Sequence, residues 1–202
     1  MAVLEALRGT RLLIPLVAEL GDSSVGVHGQ RVDKSADLAI VAVSTPDGKT
    51  AIPAFSSVSE MTKWNSTARP VPVPAVKAAL AAASDGHERL VIDPASRALV
   101  VRRPALAALA QEQAWTPAHL NPRVRELVAS AIKTISEIQR FELLNGDPKG
   151  ILAGPELIIE LGLAPGLEPT GLSRLLTQFA GELQTQDFLN LVDSVAFRVR
   201  EA

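Results

Sequence analysis

The sequence predicts an α+β protein in two parts, on three observations. Residues 37–64 read without a gap as strand, tight turn, strand and capped helix. Residues 115–122 break the apolar patterning with Pro117 and Pro122 among polar neighbours. Beyond them, helix, strand, strand, helix, strand describes a small sandwich with helices on one side of an antiparallel sheet. The expected organisation is an N-terminal domain at 1–114, with a mixed or antiparallel sheet and flanking helices. A linker at 115–122 and an α-β-β-α-β domain at 123–202 follow.

Residues 2–8 suit a short helix, with Leu4 and Leu7 on one side and Gly9 as its stop. Residues 11–20 follow as a strand interrupted or ended at Pro15. The run 12–18, preceded by Arg8 and Arg11, imitates a signal-peptide core, but Glu5, Pro15 and Glu19 favour the strand. Residues 21–36 form a polar loop expected to be mobile. Residues 38–43 are apolar on both faces, so both should be covered. In Thr45-Pro46-Asp47-Gly48, Pro46 presets φ and Gly48 accepts positive φ, which turns the chain. The return strand, 49–55, holds Pro53, which cannot donate to a ladder and marks an edge or an ending. Ser57 and Glu60 match a capping box whose loss should cost about 1 kcal/mol, and Val58, Met61 and Trp64 face inward.

An extended segment, 69–73, leads to Pro74 and a helix to 84 with Val76, Ala79, Leu80 and Ala83 inward. Gly86 closes it. Strands at 90–92 and 98–101 flank a tight connection, and Arg103-Pro104 starts a helix with Leu106, Leu109 and Ala110 inward. In the second part, Val124, Leu127, Val128, Ala131, Ile132 and Ile135 make one helical face. Strands at 137–144 and 157–163 flank the loop residues Asn145-Gly146-Asp147-Pro148. Leu172, Leu175, Leu176, Phe179 and Leu183 stripe a helix from Pro169, each worth about 1.5–3 kcal/mol if fully buried. Val195, Phe197 and Val199 alternate in the last strand.

Composition narrows the function. A net charge of −2 gives no electrostatic footprint for nucleic acid, and no basic face suits a membrane surface. The sequence has no cysteine, which removes disulfides, thiolate nucleophiles and persulfide chemistry and fits a reducing compartment. His28, His87 and His119 lie far apart in expected loops, none with a ligand-spaced neighbour. Gly21, Gly26 and Gly29 lack the spacing of a phosphate loop and read as a flexible connection. Glu156 and Glu160 share a strand face about 13 Å apart, too far for a paired acid and base.

The remaining candidates each have a plain counterpart. Asp93 ends a strand, where ligands gather in open sheets, yet Asp-Pro also initiates turns. Arg8, Arg11, Arg102 and Arg103 flank strands and are read as solvated surface charge unless folding gathers them on an anion. Phe55 and Trp64 have spacing that favours the core over an exposed aromatic contact.

Leu13-Ile14-Pro15-Leu16-Val17, Ile52-Pro53-Ala54-Phe55-Ser56-Ser57, Trp64 and Val91-Ile92-Asp93-Pro94 together resemble the N-terminal domain of the SseB family, named for enhanced serine sensitivity. The likeness covers residues 4–112 and is to the actinobacterial type. The C-terminal half resembles the family's second domain more loosely. The family commonly shows Phe-Thr-Ser and Asn-Pro where Phe55-Ser56-Ser57 and Asp93-Pro94 stand. The resemblance implies a cytoplasmic protein without an assigned catalytic activity, linked to serine sensitivity.

The function expected is a non-catalytic module acting through protein contacts with an unidentified partner or a second copy. The alternative is a regulatory domain binding an amino acid or nucleotide, and an enzyme stands third. Candidate ligand or partner contacts are Arg11, Phe55, Ser56, Trp64, Asp93 and Arg102. No catalytic, cofactor or metal site is expected, and no nucleic-acid or membrane partner.

Overall fold

The computed structural model describes residues 2–18 and 38–201, and the chain is α+β. The expected loop 21–36, His28 and the glycines at 21, 26 and 29 lie outside the described residues. Helix α1 (Ala2–Arg8) leads into β1 (Arg11–Ala18), which runs through Pro15 unbroken. Strand β1 pairs antiparallel with β5 (Arg69–Pro74) on one side and β2 (Leu38–Ile40) on the other. Pro15 stands opposite Pro70, Leu13 opposite Pro72 and Arg11 opposite Pro74. Leu13 exchanges both backbone bonds with Phe55 on the far side of β1, so these are the non-bonded positions of the β1–β5 ladder. The three prolines of β5 therefore turn their donorless nitrogens outward on an edge strand, which blunts it against further pairing.

The second sheet has the order β3-β4-β6-β7, from β3 (Val43–Ser44), β4 (Thr50–Ala54), β6 (Arg89–Ile92) and β7 (Leu99–Val101). The apolar run 38–43 is thus two strands in two sheets, divided where the chain crosses between them. Strand β4 is interior, antiparallel to β3 and parallel to β6, which corrects the expected edge. Pro53 is tolerated because it sits between Ala51, which meets β3, and Phe55, which meets β1. Its missing donor falls in the gap between those partners.

Helix α2 (Val58–Trp64) starts with Ser57 Oγ accepting from the Glu60 N–H at 3.2 Å. The reciprocal half of the capping box is absent, because the Glu60 carboxylate is taken by Lys63 (2.6 Å) and Ser96 (2.5 Å). Met61 is buried, whereas Val58 at the first position is 54% exposed and does not face inward. In α3 (Ala75–Ser84) the buried face is Ala75, Ala78, Ala79 and Ala82, with Leu80 and Ala83 outside. Small residues let α3 approach α4 (Arg103–Ala110) closely, and a Leu on that face would hold them apart.

A 3₁₀ turn (Ala118–Leu120) ends the connection, which is packed at both ends. Trp115 lies against the first core and Ala118 is buried in the second. Helix α5 (Pro122–Ile132), β8 (Ile138–Asn145), β9 (Leu157–Leu163), α6 (Pro169–Glu182), α7 (Gln186–Leu191) and β10 (Val195–Glu201) complete the chain. Strand β10 is parallel to β9 while β8 is antiparallel, so this sheet is mixed and not antiparallel as expected. The α6–α7 crossover returns the chain to the end where β9 began, which dictates a parallel partner. Leu157, Ile159, Leu161, Leu175 and Phe179 lie in the second core. Among the described residues no helix is long and apolar enough to cross a membrane.

Candidate functional site

Two cations at strand ends meet inside the protein. Antiparallel pairing of Leu90 with Val101 brings Arg89, at the start of β6, beside Arg102, at the end of β7. Like charges facing across a strand pair repel, and both residues are buried. Their anions come from loops. Asp193, between α7 and β10, places Oδ2 at 2.8 Å from Arg89 Nη2 and 3.1 Å from Arg102 Nη1. Asp147, after β8, accepts from Arg102 Nη2 at 2.7 Å, and Asp47 in the first hairpin binds Arg89 Nη1. The result is a chain of alternating charge: Asp47, Arg89, Asp193, Arg102, Asp147.

The surrounding backbone is organised by the same groups. Arg102 also donates to Gly154 O at 2.7 Å and Ser194 Oγ at 3.1 Å. Asp147 accepts from the N–H groups of Leu152 (2.8 Å), Ile151 (3.2 Å) and Ala153 (3.4 Å), closing its loop. That loop returns Gly150 O to the Val100 N–H at 2.7 Å, across the two halves. Arg103 donates to the carbonyls of Leu189 and Val192 at the end of α7.

Charge states follow from these contacts. Burial opposes ionisation of Asp47, but the Thr45 hydroxyl and Arg89 outweigh it and lower its pKa to about 2. Burial likewise opposes Asp147, and its bonds from Arg102 and the loop N–H groups hold it below the usual carboxylate range. Burial would discharge Arg89, but Asp47 and Asp193 keep it cationic. Glu156 differs. Its Oε2 accepts the Asp193 N–H at 2.6 Å, and burial pushes its pKa up. The nearby Asp193 charge adds to that push and Arg102 and Arg103 oppose it.

Over this network lies a cleft of ≈ 270 Å³ walled by both halves. Leu4, Leu99, Val101, Ala105 and Trp115 give it apolar sides, and Arg102, Asp147, Glu156, His119, Asn145 and Lys149 supply polar groups. An apolar pocket with a few convergent polar groups is the usual form of a small-ligand site. Burial lowers the His119 pKa and favours its neutral form.

Of the residues singled out in sequence, Arg102 reaches the cleft, and its reading as solvated charge is overturned by its burial. His119 also lines it, from the 3₁₀ turn instead of an exposed loop. Asp93 stands at the opposite end of β6 from Arg89, at φ 51, a left-handed position that Asp and Asn tolerate. Its carboxylate accepts from Ser56 N–H (2.9 Å) and Ser56 Oγ (2.6 Å), tying β6 to the start of α2. Phe55 is fully buried and packs tilted against Trp64, with ring centres 5.4 Å apart. Arg11 is exposed on β1, and His87 Nδ1 lies 3.0 Å from Thr50 Oγ1. Glu160 is bound by Arg198 (3.4 Å) and Arg200 (3.0 Å), away from the cleft. Among the described residues no group of three His, Asp or Glu stands close enough to hold a metal ion.

Replacing Glu156 by Gln is expected to raise the melting temperature at pH 8 and to leave it nearly unchanged below pH 4. The folded pKa of Glu156 is raised above its ordinary 4.5, so its contribution is full below that value and lost as pH rises through the folded pKa. Gln keeps an acceptor for the Asp193 N–H and removes the charge. Thermal melts across pH check this, and a variant less stable than the parent at pH 8 contradicts it.

The family model described as SseB protein N-terminal domain matches residues 1–122. No curated protein and no solved structure matches the chain. The matched span contains Arg89, Arg102 and His119, while Asp147, Glu156 and Asp193 come from beyond it.

Proposed function

The chain belongs to the SseB family through its N-terminal domain, and from that premise we propose a non-catalytic regulatory module whose sensing element is the cleft between its halves. The observation that supports this is the ≈ 270 Å³ cavity, to which both halves contribute apolar walls and polar groups. A ligand seated there touches both halves at once, so its binding feeds directly into how they are held. Arg102 makes four hydrogen bonds within the protein and serves to hold the halves together. We place the module in a reducing cytoplasm, which the cysteine-free sequence supports, and link its output to serine sensitivity through the family.

A thermal-shift screen of small metabolites against the full chain tests the reading. A ligand at a hundred times its Kd adds about 2.7 kcal/mol of stability, which moves the melt by several degrees. A screen in which no metabolite raises the melting temperature contradicts the reading.

Action through a protein partner is the second reading. It is supported by Val3, which lines the cleft, and by Leu120 and Ile151, each one residue from its wall; they are 49%, 62% and 41% exposed. Crosslinking in the native lysate, with Leu120→Asp as the control that loses the product, tests it.

A further inference from the structure

We propose that the cleft takes a protonated amine carried on a small apolar body, with the Glu156 carboxylate as its counter-ion. The inference rests on reading the cleft as a ligand site and names the class of ligand.

The argument is one of unmatched charge. In the buried chain, Arg89 sits between Asp47 and Asp193, and Arg102 between Asp193 and Asp147. Glu156 is a fourth carboxylate, only 9% exposed, and among the described residues no guanidinium is bonded to it. Both Nη groups of Arg102 are engaged elsewhere, and Arg103 is spent on two carbonyls of the α7 end. A buried carboxylate is costly unless paired. The side of Glu156 that lines the cleft is open to a cation that donates hydrogen bonds. Leu99, Val101, Ala105 and Trp115 then supply walls for an apolar body, and an indole near an ammonium adds to its hold. An anionic ligand would enter against both Glu156 and Asp147, and of the cations lining the cleft Arg102 is already matched and Lys149 is exposed to solvent.

The charged and titratable groups around Glu156 and its cleft are Asp193, Asp147, Arg102, Arg103, Lys149 and His119. Burial lowers the His119 pKa from 6.5, so at pH 8 the ring is neutral. Amine affinity therefore rises with pH through the raised Glu156 pKa and then levels.

The test is isothermal titration of the full chain at pH 8 with three probes of one shape: benzylamine, benzyl alcohol and phenylacetate. Benzylamine is expected to bind at least tenfold more tightly than benzyl alcohol, and phenylacetate weakest. Glu156→Gln is expected to bring benzylamine down to the affinity of benzyl alcohol. A titration of the parent protein down through the Glu156 pKa is expected to weaken benzylamine alone, which needs no variant. Benzyl alcohol or phenylacetate binding as tightly as benzylamine, or a preference that survives in Glu156→Gln, overturns the amine class and leaves the cleft as a ligand site. Binding by none of the three overturns both.

Discussion

Replacing Asp193 with alanine is expected to lower the free energy of unfolding by about 3–5 kcal/mol. One oxygen of this carboxylate holds Arg89 at 2.8 Å and Arg102 at 3.1 Å, and its side chain is fully buried. Without it, two buried guanidiniums face each other across adjacent strands with one anion left to each. The penalty is the cost of an uncompensated buried charge, which exceeds what the ion pairs add when intact. The exposed pair Lys63–Glu60 gives the contrast, since replacing Lys63 by Ala should leave stability nearly unchanged. Urea denaturation followed by tryptophan fluorescence measures both variants. A loss below 1 kcal/mol for Asp193→Ala would show that the buried charges are not coupled as described. The lowered pKa values of Asp47 and Asp147 set the pH dependence. Their contribution is present above the ordinary carboxylate value of 3.8 and is lost as pH falls, for Asp47 through about 2.

Expression of residues 1–122 alone is expected to give a fragment that does not unfold cooperatively. That span matches a domain family, yet it carries Arg89 and Arg102 without Asp193, Asp147, Ser194 or the Gly154 carbonyl. It also loses the Gly150 carbonyl that serves Val100 and the carbonyls that serve Arg103. Arg102 is then left without an anion and Arg89 keeps only Asp47, and a buried ion stripped of its partners costs several kcal/mol, a large part of the roughly 5–15 kcal/mol that keeps a typical domain folded. Circular dichroism melts of the fragment are expected to be broad. The same fragment with Arg89→Met and Arg102→Met is expected to regain a sigmoidal melt, because apolar side chains of similar length need no anion. A parent fragment that melts as sharply as the full chain would contradict this.

The local structure was legible because its causes are local. The Pro46–Gly48 turn, the Ser57 cap and the stripe through Leu175 and Phe179 depend on neighbours in sequence. The errors fell where a second element decides. Pro53 signalled an edge, and only the handover from β3 to β1 shows how an interior strand accommodates it. Leu80 satisfied the helical period, but the closeness of α3 to α4 selected the alanine face. The parallel β10 followed from a crossover that includes α7, which no apolar stripe announced. For the site, the sequence offered Arg102 as an ordinary surface charge and Asp147 as turn chemistry, and it gave Asp193 no signal at all. Their partners lie 104 residues apart for Arg89 and Asp193 and 45 for Arg102 and Asp147, beyond any spacing rule. The faint cue was an arginine at each end of two apolar strands, a position that becomes buried only when another part of the chain brings an anion to it.

Everything proposed for the cleft depends on the halves forming one cooperative body around the buried charges. Differential scanning calorimetry of the full chain tests this most directly. The expected result is a single transition with equal calorimetric and van't Hoff enthalpies, which Asp193→Ala moves to lower temperature. Two separable transitions in the unsubstituted protein, one of them at the melting temperature of residues 1–122 alone, would contradict it.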